Sequence, residues 1–278
     1  MIIDAHVHIC PPQVREERQP FLEGEPEFSG IYSDPRAVLI SAEDLLATMD
    51  EQEVDRAVVF GFPWRKQANF RLNNDYVLEA AGRYPDRLIP FCCLHPSHPD
   101  TETEIRRCFD LGARGVGEIA YYSRGLDETA RGEIGLAAAL CEEADRFLLL
   151  HTNEPVGHSY PGKSPMHLGQ LYTLLRERPN TRWILAHAGG GLPFYALMKK
   201  EVKEVLAGCL FDIAALPFLF KPKGLLAMAR AAGPEKFVLG TDFPLLPPTR
   251  YYRLLEDSGL SQEEQAMILG GNMERELE

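Results

Sequence analysis

Residues 2–9 read Ile-Ile-Asp-Ala-His-Val-His-Ile, an apolar run that carries two histidines at its carboxyl end. A short run of this kind, rich in β-branched residues, predicts a buried strand. An open sheet that binds a dinucleotide would place a glycine-rich turn directly after its first strand. Here the strand ends in His-Val-His instead. Residues i and i+2 of a strand project to the same face, so we expect His6 and His8 to point together.

Seven further apolar runs alternate with longer amphipathic stretches along the chain. The predicted strands are Ile2–Ile9, Arg56–Phe62, Leu88–Leu94, Gly115–Ala120, Phe147–Thr152, Arg182–Ala188, Leu210–Ala214 and Phe237–Thr241. Parallel neighbours need crossover helices, and eight such units are the number that closes a barrel. We therefore predict an α/β protein, a single (β/α)8 TIM-barrel domain spanning residues 1–278. The doubly wound open sheet is the alternative.

Two long segments between the predicted strands are expected to be irregular. Residues 10–40 combine five prolines with many charges and predict an insertion after the first strand. Residues 153–165 form a second long loop, after the fifth strand. Long loops in compact domains often bind ligands. Helices are expected at the C-terminal end.

The composition favours a small-molecule enzyme over a binder of nucleic acid. The formal net charge is −12 and no basic run interrupts the chain, whereas nucleic-acid binding needs a cationic surface. The six cysteines form no CxxC pair, which indicates a reducing compartment. No signal peptide and no run of bilayer length is visible, so we expect a cytoplasmic protein without membrane contact. We also expect that it can form a homo-oligomer.

Polar side chains close several of the predicted strands. His151, His187 and Asp242 follow apolar runs at the ends of strands 5, 6 and 8. All strands of a barrel deliver their carboxyl ends to one rim, so these side chains should meet His6 and His8. Nitrogen and oxygen ligands suit Zn²⁺ or a similar divalent ion. The sequence therefore predicts a metal site, with zinc as the expected ion.

Two carboxylates leave an alternative open. Glu118 ends strand 4, where it is either a metal ligand or a hydrogen-bonded structural group, and this choice decides between one ion and two. Asp4 shares the face of His6 and either orients a ligand imidazole or makes an ordinary buried hydrogen bond.

The whole pattern resembles the amidohydrolase superfamily, in particular its amidohydrolase-2 branch. The matching segments are IIDAHVHI (2–9), LLLHT (148–152), ILAHAGG (184–190), VLGTDFP (238–244) and the terminal GGNMERELE (270–278), with Met273 where alanine is usual. The resemblance implies metal ligands at His6, His8, His151 and Asp242. It implies that His187 binds a second ion in two-metal relatives and polarises the substrate in one-metal relatives. For Glu118 it implies a bridging ligand, as in deoxyribonuclease-like members.

Four residues in the loops after strands 2 and 5 are candidate substrate contacts: Trp64, Arg65, His158 and Lys163. Trp64 would form an apolar wall, and the charged groups would bind an anionic substrate. Alternatively, these charged groups are ordinary loop side chains that are exposed to solvent.

We expect a metal-dependent hydrolase, in which a metal-activated water attacks the carbonyl group of an ester, lactone or amide. Asp242 would accept the proton of that water, and His187 would polarise the carbonyl. The alternative is a metal-dependent non-oxidative decarboxylase of an aromatic or unsaturated acid, since the branch contains both. A catalytically silent barrel with a structural metal is disfavoured, because structural zinc sites are usually rich in cysteine.

Overall fold

Eight parallel strands form one sheet in chain order in this computed structural model, which describes residues 1–278. The strands are β1 Ile3–His8, β2 Arg56–Phe60, β3 Leu88–Cys92, β4 Gly115–Ile119, β5 Phe147–Leu150, β6 Arg182–Leu185, β7 Cys209–Asp212 and β8 Phe237–Val238. Each overlaps one of the eight predicted runs.

Backbone hydrogen bonds between β1 and the residues directly after β8 close the sheet. The amide of Ala5 donates to the carbonyl of Leu239 over 2.8 Å. Further along, the amide of Asp242 donates to the carbonyl of His6 over 2.9 Å. The predicted (β/α)8 barrel is therefore confirmed, and the open sheet is excluded. That one domain spans residues 1–278 stays a prediction.

At least one helix follows every strand, and one helix after each strand forms the outer layer of the barrel. In order these helices are Ala42–Glu51, Gln67–Arg83, Thr101–Asp110, Glu128–Ala144, Leu168–Glu177, Lys200–Val205, Pro222–Ala232 and Thr249–Ser258. A capping box begins the first of these helices, because the Ser41 hydroxyl accepts from the Asp44 amide over 3.2 Å and the Asp44 carboxylate accepts from the Ser41 amide over 2.9 Å. No helix combines the length and the apolar character that a bilayer crossing requires.

Short helical segments complete the chain. They are Pro12–Glu16, Gln19–Leu22, Pro26–Tyr32, Ala186–Gly189, Leu192–Leu197, Leu216–Leu219, Pro234–Lys236, Gln262–Ala266, Met267–Gly271 and Asn272–Leu277. The last three are the expected C-terminal helices.

The insertion after β1 is more regular than its composition indicates. Its three short helices each carry a proline in the first turn, where the missing N–H costs nothing. The buried carboxylate of Glu25 accepts from the amides of Arg65, over 2.6 Å, and Lys66, over 2.9 Å. These bonds fasten the insertion to the loop after β2 and hold it over the mouth of the barrel.

Below the mouth, the barrel is filled with apolar side chains. One buried cluster combines Ile3, Val58, Ile89, Phe91, Leu149 and Ile184 with eight further residues of the strands and the C-terminal helix. The layered packing leaves no channel, so the polar residues at the strand ends lie on an apolar floor.

Candidate active site at the carboxyl ends of the strands

Six side chains predicted from the sequence converge at one end of the barrel. They are His6, His8, Glu118, His151, His187 and Asp242. Potential ligand atoms of His6, His8 and Glu118 lie within 4.8 Å of one another, and so do those of Glu118, His151 and His187. Asp242 Oδ1 lies 3.4 Å from His8 Nε2 and 3.5 Å from His6 Nε2. The structure thus brings together every residue proposed as a metal ligand.

Glu118 stands between two pairs of imidazoles. Its Oε2 lies 3.8 Å from His6 Nε2 and 3.6 Å from His8 Nε2. Its Oε1 accepts from His151 Nδ1 over 3.0 Å and lies 3.6 Å from His187 Nε2. Burial raises the pKa of this carboxyl group, but the charges of His151 and His6 outweigh burial and hold the pKa well below its usual range. The carboxylate is therefore the anionic centre of the cluster.

Two histidines of the cluster balance this negative charge, and Asp242 adds to it. Burial lowers the pKa of His8, yet its contacts with Asp242 and Glu118 dominate and raise that pKa to about 10. For His187, burial again opposes protonation, but Glu118 prevails and raises the pKa to about 9. In Asp242, burial raises the pKa while the hydrogen bond to His8 and the nearby histidines bring it below its ordinary value. Without a metal, the cluster is held by protons shared between imidazoles and carboxylates.

Asp212, at the end of β7, is a site residue that sequence reasoning missed. Its fully buried side chain accepts from His6 Nδ1 through Oδ2 over 2.9 Å. Oδ1 accepts from the amides of His187 over 2.9 Å and Ala214 over 3.0 Å. The signal that identified the others, a polar residue closing an apolar run, was present in Cys-Leu-Phe-Asp, but strand 7 carries no histidine.

Asp4 does not orient a ligand imidazole. Its carboxylate accepts from the Thr241 hydroxyl over 2.6 Å and from the amides of Thr241 and His6. Asp4 therefore makes ordinary buried hydrogen bonds. The carboxylate that orients the His6 imidazole is that of Asp212.

Three imidazoles of the cluster, those of His6, His8 and His187, are each held in place by a hydrogen bond at the Nδ1 atom. His8 Nδ1 donates to the carbonyl of Gly61 over 2.8 Å, and His187 Nδ1 donates to that of Ala214 over 3.1 Å. Together with the bond from His6 to Asp212, these contacts leave the Nε2 atoms facing the centre. Such outer hydrogen bonds are the usual way in which proteins orient metal-binding histidines.

The donor atoms fit a divalent cation. His6 Nε2 is buried and has no hydrogen-bond partner, although two carboxylates lie within 3.8 Å of it. When Nδ1 donates to Asp212, Nε2 of a neutral imidazole carries a lone pair that faces negative oxygens, and a bound cation removes that repulsion. A set of imidazole and carboxylate ligands suits several divalent ions, so it does not single out zinc.

Unusual backbone conformations concentrate at this site. Six non-glycine residues have positive φ, and four of them, His187, Ala188, Ala215 and Asp242, follow β6, β7 and β8. A non-glycine residue in this region costs free energy and persists only where its surroundings enforce it. The strain places the side chains of His187 and Asp242 over the barrel mouth, and nothing in the sequence indicated it.

A cavity of about 840 Å³ opens above the cluster. His8, Glu118, His151, His187 and Asp242 lie at its floor, and the insertion and the 153–165 loop supply much of its wall. Among the candidate substrate contacts, His158 lines this cavity. Lys163 instead donates to Glu154 Oε1 over 2.6 Å, so its charge is neutralised within the loop.

Trp64 and Arg65 lie outside the cavity. Trp64 is buried, donates to Asn73 Oδ1 over 3.0 Å and packs on Phe28 with ring centroids 4.3 Å apart. Arg65 donates to both carboxylate oxygens of Glu27, over 2.7 and 2.6 Å. The structure thus places both side chains away from the cavity, where they anchor the insertion, and their expected contact with substrate stays a prediction.

Comparison with known proteins gives consistent matches. The sequence model of the family Amidohydro_2, described as amidohydrolase, matches residues 3–277. The 6-methylsalicylic acid decarboxylase of Penicillium expansum is 24% identical over 311 residues, covering 97% of this chain and 94% of that protein. The structure of the 5-carboxyvanillate decarboxylase LigW from Sphingomonas paucimobilis has a TM-score of 0.74 at 15% identity, covering 99% of this chain and 98% of that chain. A dihydroxybenzoic acid decarboxylase from Polaromonas sp. JS666, with bound manganese and the inhibitor 2-nitroresorcinol, has a TM-score of 0.70 at 15% identity, covering 99% and 96%.

These matches overturn the expectation of a hydrolase. The curated relative that spans nearly the whole chain is a decarboxylase, and so are both solved structures, which at these identities bear on the fold. The alternative reading from the sequence is therefore the better one. The metal in the solved relative is manganese, so the expectation of zinc gains no support.

Proposed function

The chain belongs to the amidohydrolase family, and on this premise we propose that it is a metal-dependent, non-oxidative decarboxylase of an aromatic or unsaturated carboxylic acid. The observation that carries the proposal is the position of the His187 imidazole, which lines a largely apolar cavity beside a cluster of potential metal ligands at the cavity floor. Such a floor offers both requirements of the reaction, a place for the substrate carboxylate and a proton for the carbon that loses it. The curated decarboxylase that matches 97% of the chain supports the same reaction.

His6, His8 and Asp242 would hold the ion, with Glu118 and His151 as further ligands if two ions bind. When bound, a divalent cation neutralises the substrate carboxylate and draws electrons from the reacting system. We propose manganese as the first ion to test, since a solved relative contains it, with zinc as the comparison. A small molecule is the proposed partner. That the chain forms a homo-oligomer stays a prediction.

The proton donor in this proposal is His187. In the metal-free protein, contact with Glu118 outweighs burial and raises the pKa of His187 to about 9, which favours the protonated imidazole. His187 lines the cavity, and its Nδ1 contact with the Ala214 carbonyl fixes the ring. Proton transfer from His187 to the carbon bearing the carboxylate allows the C–C bond to break, and carbon dioxide leaves. A proton from solvent then restores the imidazolium.

The proposal is tested by carbon dioxide release from a panel of aromatic and unsaturated acids, using protein loaded with manganese or zinc. Salicylic acid and its methyl derivatives form the core of the panel. His187→Gln should reduce kcat by about 10²- to 10⁴-fold, the usual contribution of a general acid, while it retains bound metal. Carbon dioxide release that is insensitive to His187→Gln would remove this residue from the proton step. A metal-loaded protein that decarboxylates no acid of the panel would contradict the proposed function.

A further inference from the structure

The cavity is large for the reaction proposed at its floor. Its volume of about 840 Å³ lies near the upper end of the range of roughly 300–1,000 Å³ that is typical for sites of drug-sized ligands. A benzoic acid with one small substituent fills only a minor part of such a space. The remaining volume lies between the cluster and the mouth.

Exposed apolar side chains line this outer part. Val38, Val156, Phe218 and Leu245 are 57%, 69%, 62% and 51% exposed, respectively, and all four line the cavity. We refer to these four residues as the apolar wall. They are four of the ten large hydrophobic residues that the molecule exposes, and they come from four separate segments, after β1, β5, β7 and β8. Clustered exposed apolar surface of this kind marks binding sites.

The charged groups near the wall already have partners within the protein. Arg36 donates to the Asp34 carboxylate, with Nη2 2.7 Å from Oδ2. Glu154 accepts from Lys163, and its Oε2 accepts from the Tyr160 hydroxyl over 2.9 Å. The outer cavity therefore offers hydrophobic contact and no unpaired charge for a second carboxylate.

We propose, building on the proposed function, that the acid decarboxylated here carries an apolar substituent, an alkyl chain or a second ring, that packs against the apolar wall. The reacting carboxylate would lie at the cluster, and the substituent would extend towards the mouth. The wall is concave and continuous with the catalytic floor, which fits an extension of the substrate better than a flat protein partner. Burying the substituent removes its surface and that of the wall from water together.

The test uses 2-hydroxybenzoic acids with methyl, propyl or pentyl groups at position 4, 5 or 6, assayed with the manganese-loaded protein. At the position that points to the wall, KM should fall by about tenfold for every two methylene groups, the gain typical of buried CH₂. Because the contact is the same in ground and transition states, kcat should change little. In Phe218→Ser, the gain for each pair of methylenes should drop to about threefold or less.

Leu197→Ser is the matched control, since Leu197 is 71% exposed but does not line the cavity. This variant should leave the dependence of KM on chain length intact.

Equilibrium dialysis of the same acids with the metal-loaded protein gives the dissociation constants without turnover. It therefore tests the wall even if no acid is decarboxylated, an outcome that would contradict the proposed function alone. Affinity that is independent of chain length at all three positions would overturn the inference. So would a Phe218→Ser variant that keeps the full gain but changes oligomeric state in sedimentation, because the wall would then be a subunit interface.

Discussion

Asp212 controls which nitrogen of His6 is available to a metal ion. Its Oδ1 accepts two backbone amides, so in Asp212→Asn the amide oxygen should stay there and the NH₂ group should face His6 Nδ1. His6 Nδ1 would then accept a hydrogen bond from this NH₂ group, so the ring proton would move to Nε2. His6 Nε2 would therefore lose the lone pair that can bind a metal ion. We expect metal affinity to fall by about 10- to 100-fold, as for other partners of ligand histidines. The measurement is a metal titration against a competing chelator.

Excess metal should restore activity in Asp212→Asn if the residue acts through His6. Glu104→Gln is the matched control, because Glu104 is an equally buried carboxylate that pairs with Arg71 and Arg107, away from the cluster. It should lower stability and leave the metal dissociation constant unchanged. Equal metal affinity in Asp212→Asn and wild type would refute the orienting role.

Glu118 tests whether the cluster holds one ion or two. Each of its oxygens faces a different pair of imidazoles, the arrangement of a carboxylate that bridges two cations about 4 Å apart. If it bridges them, Glu118→Gln should reduce metal content from two equivalents towards one, measured by elemental analysis, because the amide supplies no charge to offset their repulsion. Unchanged content and activity would mean that Glu118 only accepts hydrogen bonds from histidines.

At the scale of single residues, the pattern of polar residues at strand ends predicts the cluster, but it does not predict which nearby residues hold the surrounding structure in place. His151, His187 and Asp242 close apolar runs, and the barrel rim brings such residues together. Trp64 and Arg65 have the same type of position, yet they contact Asn73 and Glu27. Their partners are distant in sequence and belong to the folded insertion, so no local pattern distinguishes an anchor from a substrate contact.

At the scale of elements, a half-buried ion pair between Glu154, which lines the cavity, and Lys163 holds the loop 153–165 together. Lys163 Nζ donates to Glu154, to the Val156 carbonyl and to the His158 carbonyl. In Lys163→Met the Glu154 carboxylate loses its countercharge where an anionic substrate must pass. We expect KM to rise severalfold, with little change in kcat and faster proteolysis within the loop.

The double variant Glu154→Gln/Lys163→Met separates electrostatics from direct contact. It removes both charges, so KM should return most of the way to the wild-type value. Lys199→Met, at an exposed lysine outside the cavity, is the matched control and should have no effect. If KM stays high in the double variant, Lys163 contacts the substrate itself, as the sequence first indicated.

The elements themselves differ in how well the sequence predicts them. All eight strands were predictable, because buried parallel strands read as short apolar runs between amphipathic stretches. The five prolines and many charges of residues 10–40 predict an irregular insertion. Pro12, Pro20 and Pro26 instead lie in the first turns of three short helices, and burial of Phe28 and Tyr32 stabilises what propensity alone would not.

At the scale of the whole molecule, the network that joins the insertion to β2 and β3 makes stability depend on pH through His95. This buried imidazole donates from Nδ1 to the Ser97 hydroxyl over 2.7 Å and accepts at Nε2 from Arg65 over 3.1 Å. Burial and the neighbouring Arg65 charge lower its pKa to about 4. The group is therefore neutral in the folded protein, and a proton at Nε2 would face a guanidinium.

The sign of the pH dependence follows from this lowered pKa. Between pH 6.5 and 4 the unfolded chain binds a proton at His95 that the folded protein does not, so the free energy of unfolding should fall as the pH falls. The full contribution is present above pH 6.5, and its loss by pH 4 amounts to roughly 2–3 kcal/mol.

Urea unfolding in the presence of chelator, repeated across this pH range, measures this loss of stability. His95→Gln should flatten the curve relative to wild type, whereas His167→Gln, at an exposed histidine, should keep the wild-type slope. The difference between the curves isolates His95, because the histidines of the metal cluster titrate in all three proteins. Parallel curves for wild type and His95→Gln would show that His95 is not neutral in the folded protein.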